Sequence, residues 1–115
     1  MSPNASDGHW LLCEGRVLAT LEVAATRNDR RRGLLGRDGV DGALLLRPAR
    51  SVHTFGMRFA IDVAHLDDDG VVLHMTSMRP NRLGRVVWRA RAVLETEAGA
   101  LERWGVAVGD QLEIR

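Results

Sequence analysis

A chain of 115 residues with 45% hydrophobic and 27% charged side chains has the make-up of one globular domain burying roughly two-thirds of its unfolded surface, which excludes disordered, collagen-like and coiled-coil classes. All 16 basic residues are arginine and tyrosine is absent, so Schiff-base lysine chemistry, the lysine of a phosphate-binding loop and a phenolic acid or base are excluded. A net charge of +1 gives no global attraction for nucleic acid or membrane, and Cys13, the single cysteine, allows no internal disulfide.

Residues 1–8 read as a flexible polar lead and residues 9–115 as one β-rich domain. Residues 9–13 and 16–24 read as strands joined at Glu14-Gly15, where glycine makes positive φ cheap. Thr26 is placed to cap a short helix over 28–35, with Asp29 in its first turn and Gly36 just past its end. Residues 43–46 form a short apolar strand, Pro48 interrupts, and extended structure resumes over 51–55. Residues 62–66 and 71–78 form the clearest hairpin, turned by Asp69-Gly70. Residues 90–97 read as a strand, 98–104 as a second short helix stopped by Gly105, and 111–115 as a closing strand. The fold class is therefore mainly β, α+β at most: a compact β-barrel or sandwich of short, largely antiparallel strands with two short helices.

No apolar run approaches about 18 residues, and no basic region precedes a hydrophobic stretch at the N-terminus, so neither membrane span nor signal peptide is read and the expected compartment is the cytoplasm. The triplet Asp67-Asp68-Asp69 lacks the alternation and distal glutamate of a calcium loop and reads as a turn. His65 and His74 sit on the two arms of one hairpin and can face each other, but two imidazoles fall short of a zinc shell. No metal and no cofactor is expected. Cys13 lies in an apolar strand, where a thiol has a raised pKa and is a poor nucleophile. Arg79, Arg82, Arg85, Arg89 and Arg91 surround Trp88 with no acid among them. Arg82, Arg85, Trp88 and Arg89 have the cation and ring pattern of single-stranded nucleic acid grooves, yet one aromatic is no stacking platform, and a solvated face accounts for them better.

The segment His53-Thr54-Phe55-Gly56-Met57-Arg58 concentrates polar, aromatic, sulfur and cationic groups around a glycine, ahead of the strand that holds Asp62. Arg37, Thr54, Met57, Arg58, His53 and Asp62 are the candidate ligand-binding residues, because two guanidiniums gathered near one loop favour a carboxylate or phosphate group. The plainer alternative is an Arg58–Asp62 ion pair that only pins a loop. A rival from another class is a small hydrolase or lyase with His53 and Asp62 as base and Arg58 stabilising an oxyanion.

The run Arg31-Arg32-Gly33-Leu34-Leu35-Gly36-Arg37, the stretch from His53 to Asp62, the hairpin around Asp69-Gly70, Ala92-Val93-Leu94-Glu95 and the tail from Gly105 to Asp110 together resemble the domain-of-unknown-function 192 family of small bacterial and archaeal proteins. The resemblance implies an aromatic, a methionine and a basic residue where Phe55, Met57 and Arg58 stand. It also implies a proline shortly before the aspartate, and this chain has Ala60 instead. Many relatives carry an export signal, and the family's motifs name no reaction. The expected function is non-enzymatic binding of a small anionic ligand or a protein partner around the His53 to Asp62 motif, with no membrane partner; weak single-stranded nucleic acid binding through the arginine and tryptophan segment 79–91 is the second alternative.

Overall fold

Glu14 and Gly15 both take positive φ (53° and 76°), and the tight turn they make joins β1 (His9–Cys13) to β2 (Arg16–Ala24) as an antiparallel pair. The computed structural model describes residues 8–115, so all of the expected polar lead except Gly8 lies outside the described residues. Thr26 caps α1 (Arg27–Arg32), its hydroxyl accepting from the Asp29 N–H at 3.0 Å. The helix is shorter than the sequence implies. Gly33, not Gly36, ends it with φ 49° and ψ −126°, because the chain must leave the helical path to sink Leu34, which is 1% exposed, while α1 itself buries nothing.

The remaining elements are β3 (Ala43–Leu46), β4 (Ile61–Leu66), β5 (Val72–Met78), β6 (Ala92–Glu97), α2 (Ala100–Arg103) and β7 (Leu112–Ile114). The seven strands form one sheet in the order β5-β4-β6-β3-β2-β1-β7. Only β2 and β3 run parallel, which demands a crossover, and α1 with the loop after it supplies that. Residues 51–55 do not make the expected strand, since Pro48 and the buried Thr54 hold them as a loop with a single bridge, His53 to Leu83.

The sheet curls into a half-barrel whose end strands are tied together: Val72 N–H donates to the Asp110 carbonyl and Leu112 N–H to the Gly70 carbonyl, both at 2.8 Å. Gly70 is required there, since a side-chain carbon on it would stand 2.3 Å from the Leu112 carbonyl oxygen. Leu11, Leu21, Leu45, Ala64, Leu94, Leu101 and Leu112 fill the interior. A second apolar layer lies on the opposite face, where Leu34 and Met57 cover Leu44, Leu46, Ile61, Val63 and Val93. Strands β3, β4 and β6 are thus buried on both faces, which is why they read as near-continuous apolar runs. Among the described residues no helix is long and apolar enough to cross a membrane.

Candidate functional site

Side chains alternate across a strand, so β4 and β6 send their residues to two different places. On β4, Ile61 and Val63 join the outer layer and Ala64 the interior, which puts Asp62 inside. There Asp62 Oδ1 accepts from the Ser77 hydroxyl at 2.7 Å, and Oδ2 accepts from the Gly99 and Leu101 N–H groups at 3.0 and 3.2 Å. Gly99 has no side chain with which to cap α2, so Asp62 caps that helix from the neighbouring strand. On β6, Val93 and Glu95 face outward, and Glu95 lies between Leu44 of β3 and Val63 of β4.

Above Glu95, the end of α1 and the segment 46–57 enclose a cavity of about 290 Å³. Leu34, Leu46, Pro48, Ala49, Val52 and Met57 give it apolar walls, Arg30, Arg31 and Arg32 edge it on one side, and His53 and Phe55 on the other. Arg30 donates to the Ala25 carbonyl, whereas among the described residues Arg31 and Arg32 have no ion-pair partner. His53 and Phe55 stack with ring centroids 5.0 Å apart, and the Phe55 N–H donates to His53 Nδ1 at 3.2 Å. Glu95 is 3% exposed, and its Oε1 has no hydrogen-bond partner. Burial pushes the Glu95 carboxyl up from its ordinary 4.5 to about 7, against the opposing pull of the Arg37 guanidinium. A second groove adjoins the first, sharing Arg32, Gly33 and Leu35, and holds Arg37, whose two terminal guanidinium nitrogens donate to Glu22 at 2.8 and 3.4 Å.

The six residues expected to form one site are therefore divided. His53 and Met57 line the cavity and Arg37 the groove beside it. Thr54 is buried: its N–H donates to the Arg82 carbonyl, and its hydroxyl donates to the Arg79 carbonyl and accepts from the Arg82 N–H, so it staples two loops together. Arg58 pairs with Asp38 at 2.9 Å on the surface, not with Asp62. The expected Arg58–Asp62 pair is absent because Asp62 turns into the interior while Arg58 stays in solvent, and the same separation removes the His53–Asp62 dyad. Sequence reasoning missed Glu95, whose signal is an acid in an apolar strand run, two residues from Val93 and so on the same face.

Other candidates have local roles. His65 and His74 do face each other across the β4–β5 hairpin, with centroids 5.5 Å apart, and burial followed by the neighbouring His74 lowers the pKa of His65. Burial raises that of the Cys13 thiol. Among the described residues no group of three or more His, Cys, Asp or Glu side chains is placed to hold a metal ion. Arg82, Arg85, Trp88 and Arg89 are all exposed along a loop, and Trp88 is 77% exposed.

A curled seven-stranded half-barrel carrying a small cavity outside its sheet is the class of protein this architecture defines. The chain belongs to the domain-of-unknown-function 192 family (DUF192, Uncharacterized ACR), which it matches over residues 11–114. It is 30% identical over 105 residues to a UPF0127 protein of Thermococcus sibiricus (strain DSM 12597 / MM 739), a match covering 86% of this chain and 66% of that relative's length. Two solved structures share the fold. A protein of unknown function from Novosphingobium aromaticivorans DSM 12444 superimposes with a TM-score of 0.77 at 17% identity, covering 91% of this chain and 82% of that one. A protein from Sinorhizobium meliloti 1021 described as a candidate transcription regulator gives 0.74 at 24% identity, covering 91% and 90%.

Proposed function

We propose that the protein is a binding module, not a catalyst, and that it takes a small organic anion with a short apolar body into the cavity beneath α1. The observation that carries this reading is the juxtaposition of Arg31 and Arg32, unpaired among the described residues, with an apolar recess of about 290 Å³. Guanidinium groups present a planar fork that matches a carboxylate, and apolar walls reward a ligand that is not charged throughout. That volume lies at the small end of ligand pockets, which run from about 300 to 1,000 Å³, so the ligand is a small molecule. His53 and Met57, both in the motif that marks the family, contribute to the walls, and Arg37 strengthens the positive potential from the adjoining groove. We propose the cytoplasm as the compartment, a reading with which the single, buried Cys13 thiol is compatible.

Isothermal titration with acetate, butyrate, hexanoate and octanoate tests this. Each added methylene that finds the apolar wall tightens binding by up to about fourfold, until the cavity is full. Inorganic phosphate binds more weakly than butyrate, and the R31A/R32A variant loses at least about tenfold in affinity for butyrate. A series flat in chain length, or a double variant that binds like wild type, would overturn the reading.

A further inference from the structure

The arginines and the apolar walls leave the most unusual group of the cavity unused. Glu95 is 3% exposed, its strand neighbours Leu44 and Val63 carry no charge, its side chain lines the floor of the cavity, and its Oε1 is buried without a partner. A buried polar atom without a hydrogen bond is rare in a folded protein, and where its residue lines a cavity a group bound there is one way to supply the missing partner. Gly33 closes over it, so near that a side-chain carbon there would stand 3.3 Å from Oε1.

We propose that the cavity is built for a small organic acid carrying a carbonyl beside its carboxylate, a 2-oxo acid, with the carboxylate held by Arg31 and Arg32 at the rim and the carbonyl oxygen accepting a hydrogen bond from the Glu95 carboxyl O–H at the floor. This deepens the function proposed above and rests on it. The charged groups around Glu95 bear on which protonation state meets the ligand. From α1 and the loop after it come Arg30, Arg31, Arg32 and Arg37; from β2 comes Glu22, already bonded to Arg37; from the segment after β3 comes His53; and from β4 and β6 come His65 and Glu97. The nearest cation, Arg37, is engaged by Glu22, so burial prevails and the carboxyl is held to about 7, neutral in half the molecules at neutral pH. A neutral carboxyl has one O–H to give, and a carbonyl oxygen is its natural acceptor. The opposite reading, in which an ionised Glu95 takes a ligand ammonium, requires a cationic group to pass a rim of arginines.

The test compares 2-oxobutyrate with butyrate, which share a four-carbon skeleton and a carboxylate and differ only in the carbonyl at C2, by isothermal titration from pH 5.5 to 8.5. Wild type prefers 2-oxobutyrate by about tenfold at pH 5.5, the worth of one hydrogen bond to an otherwise unpaired group, and the preference fades as pH rises through about 7. Glu95→Gln keeps an N–H donor and so keeps a preference that no longer varies with pH. Glu95→Leu binds 2-oxobutyrate no better than butyrate while still binding butyrate, which shows that the variant is folded and the arginine rim intact. If wild type binds the two acids alike at pH 5.5, or if the preference grows with pH, the assignment of Glu95 fails while butyrate binding, and with it the broader reading, survives. If neither acid binds wild type, both fall together.

Discussion

Gly33 and Glu95 are packed against each other across the gap between α1 and β6, with only 3.3 Å left between Glu95 Oε1 and the place a side-chain carbon on Gly33 would occupy. Gly33 also holds φ 49° with ψ −126°, a conformation that L residues rarely adopt. Gly33→Ala should therefore cost about 1–3 kcal/mol in urea unfolding, through backbone strain first and crowding of the carboxylate second. Gly36→Ala, whose added carbon meets nothing within 4 Å, carries the strain of φ 86° alone and is the matched control. Equal losses for the two variants would mean that the closeness to Glu95 contributes nothing.

Asp62 is a capping residue and Arg58 is a surface residue, so their substitutions should separate sharply. Asp62→Ala strips acceptors from the Ser77 hydroxyl and from two N–H groups of the first turn of α2, and about 2–4 kcal/mol of stability should go with them. Arg58→Ala breaks an ion pair whose side chains are 61% and 88% exposed, and should stay within about 0.5 kcal/mol of wild type. Chemical denaturation of both variants checks this; similar losses would restore the coupling that their four-residue spacing invites. Neither change should alter butyrate binding, since Asp62 faces the interior and Arg58 lies outside the cavity lining.

Two buried groups impose opposite pH dependences. Glu95 is raised from 4.5 to about 7 in the folded state, so folding takes up a proton between those values. Its favourable contribution is complete below about 4.5 and is lost as pH rises through about 7, a swing on the order of 3 kcal/mol. His65 is lowered from 6.5, so its contribution is present above that value and lost on acidification. Glu95→Gln should accordingly gain on wild type between pH 5 and pH 8, and should itself weaken toward acid. A difference between Glu95→Gln and wild type that is the same at both pH values would rule out a carboxyl buried in this way.

Much of the fold was legible because hairpins are local. Glu14-Gly15 and Asp69-Gly70 announce their turns in two residues each, Thr26 and Asp29 announce a helix start, and all of these features are present in the structure. The candidate site was half legible for the opposite reason. Whether Asp62 faces in or out depends on what lies on each side of β4, and the groups that decide it, Ser77, Gly99 and Leu101, are 15 to 39 residues away. The outer apolar layer is equally non-local, since it exists only once Leu34 and Met57 fold down over β3, β4 and β6. Without that layer Glu95 reads as an ordinary solvent-facing acid of a sheet, and His53 has no reason to be linked to arginines twenty residues upstream.

Arg37 supplies the last test because it acts on Glu95 from a distance. Its guanidinium is tied to Glu22 at 2.8 Å, yet its charge still pulls the Glu95 carboxyl down against the effect of burial. Arg37→Met keeps much of the apolar stem and removes the charge, so the carboxyl should titrate higher still, read directly as the pH at which its carbon-13 resonance shifts. The stability cost should be small, under about 1 kcal/mol, because side chains of the Arg37–Glu22 pair are 40% and 38% exposed and largely screened. Arg58→Met, which removes a charge paired elsewhere, should leave the Glu95 titration unchanged. With Arg37 gone, more of the protein presents a neutral Glu95 at neutral pH, so the preference for 2-oxobutyrate over butyrate should persist to higher pH even as overall affinity for both anions drops. A titration that moves downward, or a preference that ends at the same pH as in wild type, would show that Arg37 and Glu95 are not electrostatically linked.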